Sequence, residues 1–253
     1  MDVITSKTNP IIKELKKLHQ KKYREQTQQY MIEGFHLVEE AVKTNQVITH
    51  LFVNTRGKQE WETWIEQQAL EATYLADEVF AMLSDSVTPQ GILACVKMPI
   101  TPLDQVAGKW LCLDRVQDPG NVGTMIRTAD AAGFTGVILG KGTVDVYHPK
   151  VVRSMQGSQF HLTIIRKDLA DVCDTFTQMN IPIYGTELNE AAVDYRTIKP
   201  TQDMALILGN EGQGVASSLL ENTTKNLYIP LLGQAESLNV GVAAGILMYH
   251  FLP

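Results

Sequence analysis

The chain has 253 residues, 44% hydrophobic and 20% charged, a balance that excludes a disordered or low-complexity polymer and predicts a sizeable core. Its three cysteines, Cys95, Cys112 and Cys173, are widely spaced with no CxxC pair, which excludes a disulfide or zinc framework and predicts buried, reduced thiols. The net charge of −6 argues against a nucleic-acid partner until its distribution is considered: residues 1–24 hold seven basic against two acidic side chains, leaving 15 basic and 26 acidic beyond them.

Near the start, Asn9-Pro10 marks a helix N-terminus, with Ile11, Ile12, Leu15 and Leu18 on one face and Lys13, Lys17 and Lys21 at i, i+4, i+8 on another. Those lysines are either a solvated face or the local contact of an acidic protein with an anion. YMIEG, VITHLFVN, TYLA and GILACVKM follow as short strands, alternating with the helical stretches HLVEEAVKT, QEWETWIEQQAL and DEVFAMLS. Trp61 and Trp64, at i and i+3, read as packing residues. The segment MPITPLDQVAG, with two prolines and weak periodicity, predicts a linker at 99–107 between a domain of residues 1–98 and one of residues 108–253.

Beyond the linker, WLCLD, GVILG, LTII, IPIYGT, MALILG and LYIPL are apolar runs suited to a parallel sheet buried on both faces. Helices are expected between them at 121–132, 149–156, 168–179 and 214–222, with a last one at 237–252. The longest apolar segment, VAAGILMYHFL, is far short of the ~20 residues that span a bilayer. The opening MDVITSKTNP lacks the apolar stretch of a secretory signal, so a cytoplasmic location is expected.

Three patches stand apart from packing sequence. In DRVQDPGNVGTMIRTADAAGF a strand ends at Asp114 and a turn delivers a helix carrying Asn121 and Arg127 among small residues. In LGNEGQG, glycines follow a strand at the carboxyl edge where open α/β sheets bind ligands, with neither the dinucleotide nor the phosphate-loop spacing. In YIPLLGQAESLNVGVAAGILMYH, Glu236, Ser237 and Asn239 precede a small-sided helix, with Ser237 a good N-cap. Each patch alone also fits a capped helix or a plain turn.

Together, Asn121-x-Gly123-x-x-x-Arg127, GNEGQG and IPLLGQAESLN resemble, in order and spacing, the three motifs of the SpoU (TrmH) family of RNA ribose methyltransferases. Gly241 stands where a serine is common, a minor departure. The resemblance implies an α/β fold of the SPOUT type: a C-terminal parallel-sheet domain with a trefoil knot, preceded by a small ribosomal-protein-like domain that binds RNA substrate. It implies S-adenosylmethionine as cofactor, held by Thr186, Leu208, Gly209, Ile229, Leu231 and Leu238. It further implies methyl transfer to a ribose 2′-hydroxyl of rRNA or tRNA, and a homodimer in which Arg127 reaches the other subunit's cofactor.

Arg127 is then the central catalytic residue. A guanidinium is cationic at neutral pH, so a clamp on RNA phosphate that favours the developing alkoxide suits it better than a general base. Asn121 would orient Arg127 or the ribose, Glu211 would fix a loop or pair with a cation, and Ser237 and Asn239 would hydrogen-bond near the hydroxyl. The glycines of GNEGQG would let the cofactor approach. Lys13, Lys16, Lys17, Lys21 and Arg24 would contact the RNA backbone. No metal role is expected, because the six histidines are scattered without ligand spacing. Two rivals are a non-catalytic RNA-binding protein of the same fold and a metabolic enzyme with an ordinary nucleotide-binding sheet.

Overall fold

The computed structural model describes residues 3–99 and 107–252, so the expected linker, apart from its two end residues, lies outside the described residues. Two compact units form: Met1–Ile100 with Tyr147–Phe160, and Thr101–Val146 with His161–Pro253.

The first unit is built on four strands, β1 (Gln29–Glu33), β2 (Ile48–Val53), β3 (Ala72–Tyr74) and β4 (Ile92–Lys97), in the order β1-β4-β2-β3. Interior β4 pairs antiparallel with β1 and β2, and its sequence ILACV is buried on both faces. Helix Pro10–Lys16 starts where Asn9 Oδ1 accepts the Ile11 N–H, and it buries Ile12 and Leu15 against Phe52, Leu75, Phe80 and Leu93. Phe35 stacks on Trp61 at 3.7 Å and meets Trp64 edge-on, the packing role expected of those tryptophans. Helix Pro149–Met155 forms where the second half of the chain predicts one, yet its segment groups with this first unit.

The basic stripe differs from expectation. The first helix stops at Lys16, a single 3₁₀ turn covers Lys17–His19, and Gln20 is extended before a new helix, Lys21–Thr27. Lys13, Lys17 and Lys21 therefore do not line one helical face. Lys17 and Lys21 pair with Glu14 (2.6 Å) and Glu25 (3.5 Å). Arg24 is only 2% exposed, and its Nη1 donates to the Leu18 carbonyl at 2.7 Å. Its guanidinium braces the turn between the helices and is withheld from RNA, which corrects its place in the stripe.

The second unit is a seven-stranded, wholly parallel sheet: β5 (Lys109–Leu113), β6 (Gly136–Leu139), β7 (Thr163–Arg166), β8 (Ile183–Thr186), β9 (Val193–Asp194), β10 (Met204–Leu208) and β11 (Lys225–Tyr228). Their order is β7-β6-β5-β10-β8-β11-β9. After β8 the chain travels to the far edge for β9, then returns to insert β10 between β5 and β8. All five residues of β10, MALIL, are buried, each large side chain contributing about 1.5–3 kcal/mol. Helix Leu169–Gln178 covers one face through Val172, Cys173 and Phe176. Helices Pro119–Ala131 and Val240–His250 pack on each other. All three cysteines are buried and unpaired, and burial pushes the Cys95 thiol up to about 12.

Two helix boundaries moved. The segment expected to be helical from 214 is helical only at Ser217–Leu220, because Asn210 and Gly214 pair across a tight turn (N···O 3.0 and 2.9 Å). The last helix begins at Val240, not 237, and its cap is Asn239, whose Oδ1 accepts from Gly241 and Val242 N–H; Ser237 stays in the preceding loop.

Candidate active site

A cavity of about 240 Å³ opens at the carboxyl ends of β8, β10 and β11. Those strands end at Thr186, Leu208 and Tyr228, and the loops beyond them form the walls. Thr186, Leu208, Gly209, Ile229, Leu231 and Leu238, named from sequence as cofactor residues, all line it. Glu236, singled out with the third patch, lines it too, and so do Glu187, Leu188, Ala243 and Leu247, whose loop or helix positions gave no individual signal in the sequence.

Glu211 ties two of the three motif loops together and reaches the third. Its carboxylate accepts from the backbone N–H of Gln117 (3.2 Å) and Asp118 (3.0 Å) and from Asn121 Nδ2 (3.1 Å). Asn121 Oδ1 in turn accepts from Asn239 Nδ2 at 3.0 Å. One chain of hydrogen bonds thus runs from the turn before helix Pro119–Ala131, through the GNEGQG turn, to the cap of helix Val240–His250. Desolvation pushes the Glu211 carboxyl up, but the donors Asp118 N–H, Asn121 Nδ2 and Gln117 N–H outweigh it and hold the group below the ordinary carboxylate range.

A carboxyl depressed in the fold stabilises above the ordinary carboxylate range and loses that contribution as pH falls through its folded value. Affinity for S-adenosylhomocysteine, measured by calorimetry, is therefore expected to stay level from about pH 8 to about pH 5 and to fall only in stronger acid. A decline that starts near neutral pH would show that Glu211 is not the clamp.

The opposite side of the turn is fastened independently. Asp114, 6% exposed, accepts from Ala216 N–H at 2.8 Å and from the Arg115 guanidinium at 3.1 Å. Arg115, left-handed at φ 55°, reaches Gln213 Oε1, while its carbonyl accepts from Asn210 Nδ2. The strain of a non-glycine residue in that region is held by these bonds. Gly209 serves the same closure. A Cβ there would stand 2.1 Å from the Gly214 carbonyl carbon and the Val215 nitrogen, so its lack of a side chain lets the loop fold on itself. Gly209 also lines the cavity, so the closed turn adds a second reason for glycine to the approach expected for the cofactor.

Of the five residues named as catalytic, Glu211 and Ser237 line the cavity, and Asn121 and Asn239 stand in the hydrogen-bond chain joined to Glu211. Arg127 is not brought to the cavity of its own chain: it is exposed, and among the described residues nothing bonds it. Elsewhere, ligand atoms of His36, Glu39 and Glu40 lie within 4.8 Å of one another, a grouping the scattered histidines did not suggest. Lys43 already pairs with both carboxylates, at 2.9 and 3.1 Å.

Residues 109–249, which hold the cavity and all three motif loops, match the SpoU rRNA Methylase family. The chain belongs to that family. Residues 9–94 match the MRM3-like substrate binding domain. The chain is 46% identical over 252 residues, 99% of each chain, to the 23S rRNA (guanosine(2553)-2′-O)-methyltransferase RlmP of Bacillus subtilis. An AdoMet-bound rRNA methyltransferase from Sinorhizobium meliloti superposes with a TM-score of 0.85 at 32% identity, covering 98% of this chain and 96% of that one. The SpoU methyltransferase AviRb of Streptomyces viridochromogenes, in complex with AdoMet, gives 0.86 at 26% identity, with 96% of each chain covered.

This SpoU family member is an enzyme that methylates RNA at the ribose 2′-hydroxyl with S-adenosylmethionine as donor. The cavity suits that cofactor. Leu208, Ile229, Leu231, Leu238 and Leu247 make part of its lining apolar, and Glu187, Glu211 and Glu236 make part of it acidic, a combination that fits a flat adenine and a cationic sulfonium.

Proposed function

We propose that this SpoU enzyme modifies a guanosine of 23S rRNA, as the name of its Bacillus subtilis relative states for that protein. The observation that carries the site assignment is the hydrogen-bond chain Asp118–Glu211–Asn121–Asn239, which fixes three sequence-distant motifs around one cavity. Bound S-adenosylmethionine supplies an electrophilic methyl group. The chain's own residues hold the ribose oxygen in line with it, a positioning effect that can be worth on the order of 7–11 kcal/mol. Ser237, at the cavity wall, hydrogen-bonds near the hydroxyl, and Arg127 grips the neighbouring phosphate while its charge favours the alkoxide that develops as the proton leaves.

Arg127 does this across a homodimer. Val242 and Tyr249, 53% and 52% exposed, leave an apolar face on helix Val240–His250, the helix packed against the one that carries Arg127. A second copy covering that face brings each Arg127 to the other copy's cavity. The trefoil crossing belongs to the same proposal, supported by family membership and by the late insertion of β10 between β5 and β8. Among the described residues no helix is long and apolar enough to cross a membrane. The proposed action on ribosomal RNA supports a cytoplasmic location.

Lys13 and Lys16 are exposed and unpaired among the described residues, and they are the cations of the basic arm best placed to meet RNA phosphate. Lys13→Glu with Lys16→Glu is expected to weaken RNA binding and to lower the slope of log affinity against log salt by roughly 1.5–2. An unaltered slope would make them an ordinary solvated face. The function itself is tested by mapping 2′-O-methyl groups across cellular RNA with and without the gene. Loss at one 23S rRNA guanosine supports the proposal; an intact 23S map with a methyl missing from a tRNA contradicts it.

A further inference from the structure

Asp130 follows Arg127 by three residues on helix Pro119–Ala131, the spacing at which a carboxylate and a guanidinium on one face pair with each other. They do not pair here. The Asp130 carboxylate instead accepts a hydrogen bond from His161 Nδ1 at 2.9 Å, with the two side chains 27% and 40% exposed. His161 stands just ahead of β7, 31 residues along the chain from Asp130, so this is a tertiary contact between the helix and the start of an edge strand. Arg127 is left exposed with no bonded partner among the described residues.

We propose that His161 is a positioning residue: it takes up the Asp130 carboxylate and so keeps the neighbouring Arg127 guanidinium free for RNA phosphate. A carboxylate one turn from Arg127 harms the reaction in two ways. It competes with the phosphate for the guanidinium, and it repels the phosphate directly. The bond from His161 occupies Asp130 Oδ2 and holds the carboxylate on the imidazole instead of on the guanidinium. This reading rests on the assignment of Arg127 given above.

The test is methyl transfer by purified variants to a 23S rRNA fragment, with affinity for S-adenosylhomocysteine measured alongside. His161→Ala is expected to lower kcat/KM for RNA by about threefold to tenfold, the span between an exposed and a half-buried ion pair, without altering cofactor affinity. His161→Asn, whose amide can still donate to the carboxylate, keeps the rate. Asp130→Ala stays within about twofold of the parent, and Asp130→Ala with His161→Ala matches it, because no carboxylate remains to restrain.

The proposal is overturned if Asp130→Ala is as slow as His161→Ala, or if the double variant is no faster than His161→Ala alone, since either result makes the pair a structural brace. Should His161→Ala fail to fold, Asp130→Ala and His161→Asn still decide between the two. Full turnover by Arg127→Ala would instead remove the underlying assignment, a result distinct from any ordering of the other variants.

Discussion

Arg127→Ala is expected to lower kcat for methyl transfer by roughly 10²–10³-fold, the cost of removing one preorganised group from a site of developing negative charge. Affinity for S-adenosylhomocysteine should stay within about threefold of the parent, because Arg127 lines no part of its own chain's cavity and bonds nothing that shapes it. Single-turnover transfer to RNA together with calorimetric titration reads both quantities. The split matters more than either number. A variant that loses cofactor affinity and turnover in step would place Arg127 in the cofactor wall, and a variant with full turnover would remove it from the chemistry. Arg127→Lys should recover little, since a point charge cannot reproduce the two-pronged grip of a guanidinium on phosphate.

Gly209→Ala should act on the other half of the site. Backbone atoms of Gly214 and Val215 occupy the space a Cβ would need, and backbone cannot swing aside as a flexible side chain can. The turn must open, breaking the paired Asn210–Gly214 contacts and carrying Glu211 away from Gln117, Asp118 and Asn121. Overpacking of this kind costs about 1–3 kcal/mol of stability. The dissociation constant for S-adenosylhomocysteine should rise by about tenfold or more, because the cavity wall beyond β10 moves. A fully stable variant with parental affinity would show that the closed turn is not what shapes the cavity.

Much of this was legible in the residues. The run MALIL reads as a strand buried on both faces because no polar alternation interrupts it, and it is the fully buried β10 beside β5. The six cofactor residues carried over from the resemblance meet at one cavity because each sits at or just past the carboxyl end of a parallel strand or in the loop that follows. What escaped depended on tertiary contacts. The two-residue strand Val193–Asp194 is too short to leave a periodic signal. Ser237 and Asn239 are equally good caps by type, and the bond from Asn239 to Asn121 accompanies the choice of Asn239. Arg24 looks like one more cation of a basic arm until its guanidinium is found on the Leu18 carbonyl. Segment Tyr147–Phe160 reads as an ordinary crossover helix, and nothing local marks it as part of the first unit.

The hydrogen-bond chain through Glu211 also shows what the two asparagines do within the fold. Asn121 and Asn239 spend their amides on each other and on Glu211, and Asn239 caps a helix besides. They set where three loops stand, while Ser237 at the cavity wall and the exposed Arg127 have no side-chain partner among the described residues.

The account's central claim is tested most directly by incubating the purified protein with methyl-labelled S-adenosylmethionine and 23S rRNA, then hydrolysing the RNA in alkali. A methyl on the ribose 2′-oxygen removes the nucleophile that alkali uses, so label is expected in an alkali-resistant dinucleotide that yields 2′-O-methylguanosine on full digestion. Label recovered on a base, or in ordinary mononucleotides, would contradict the account.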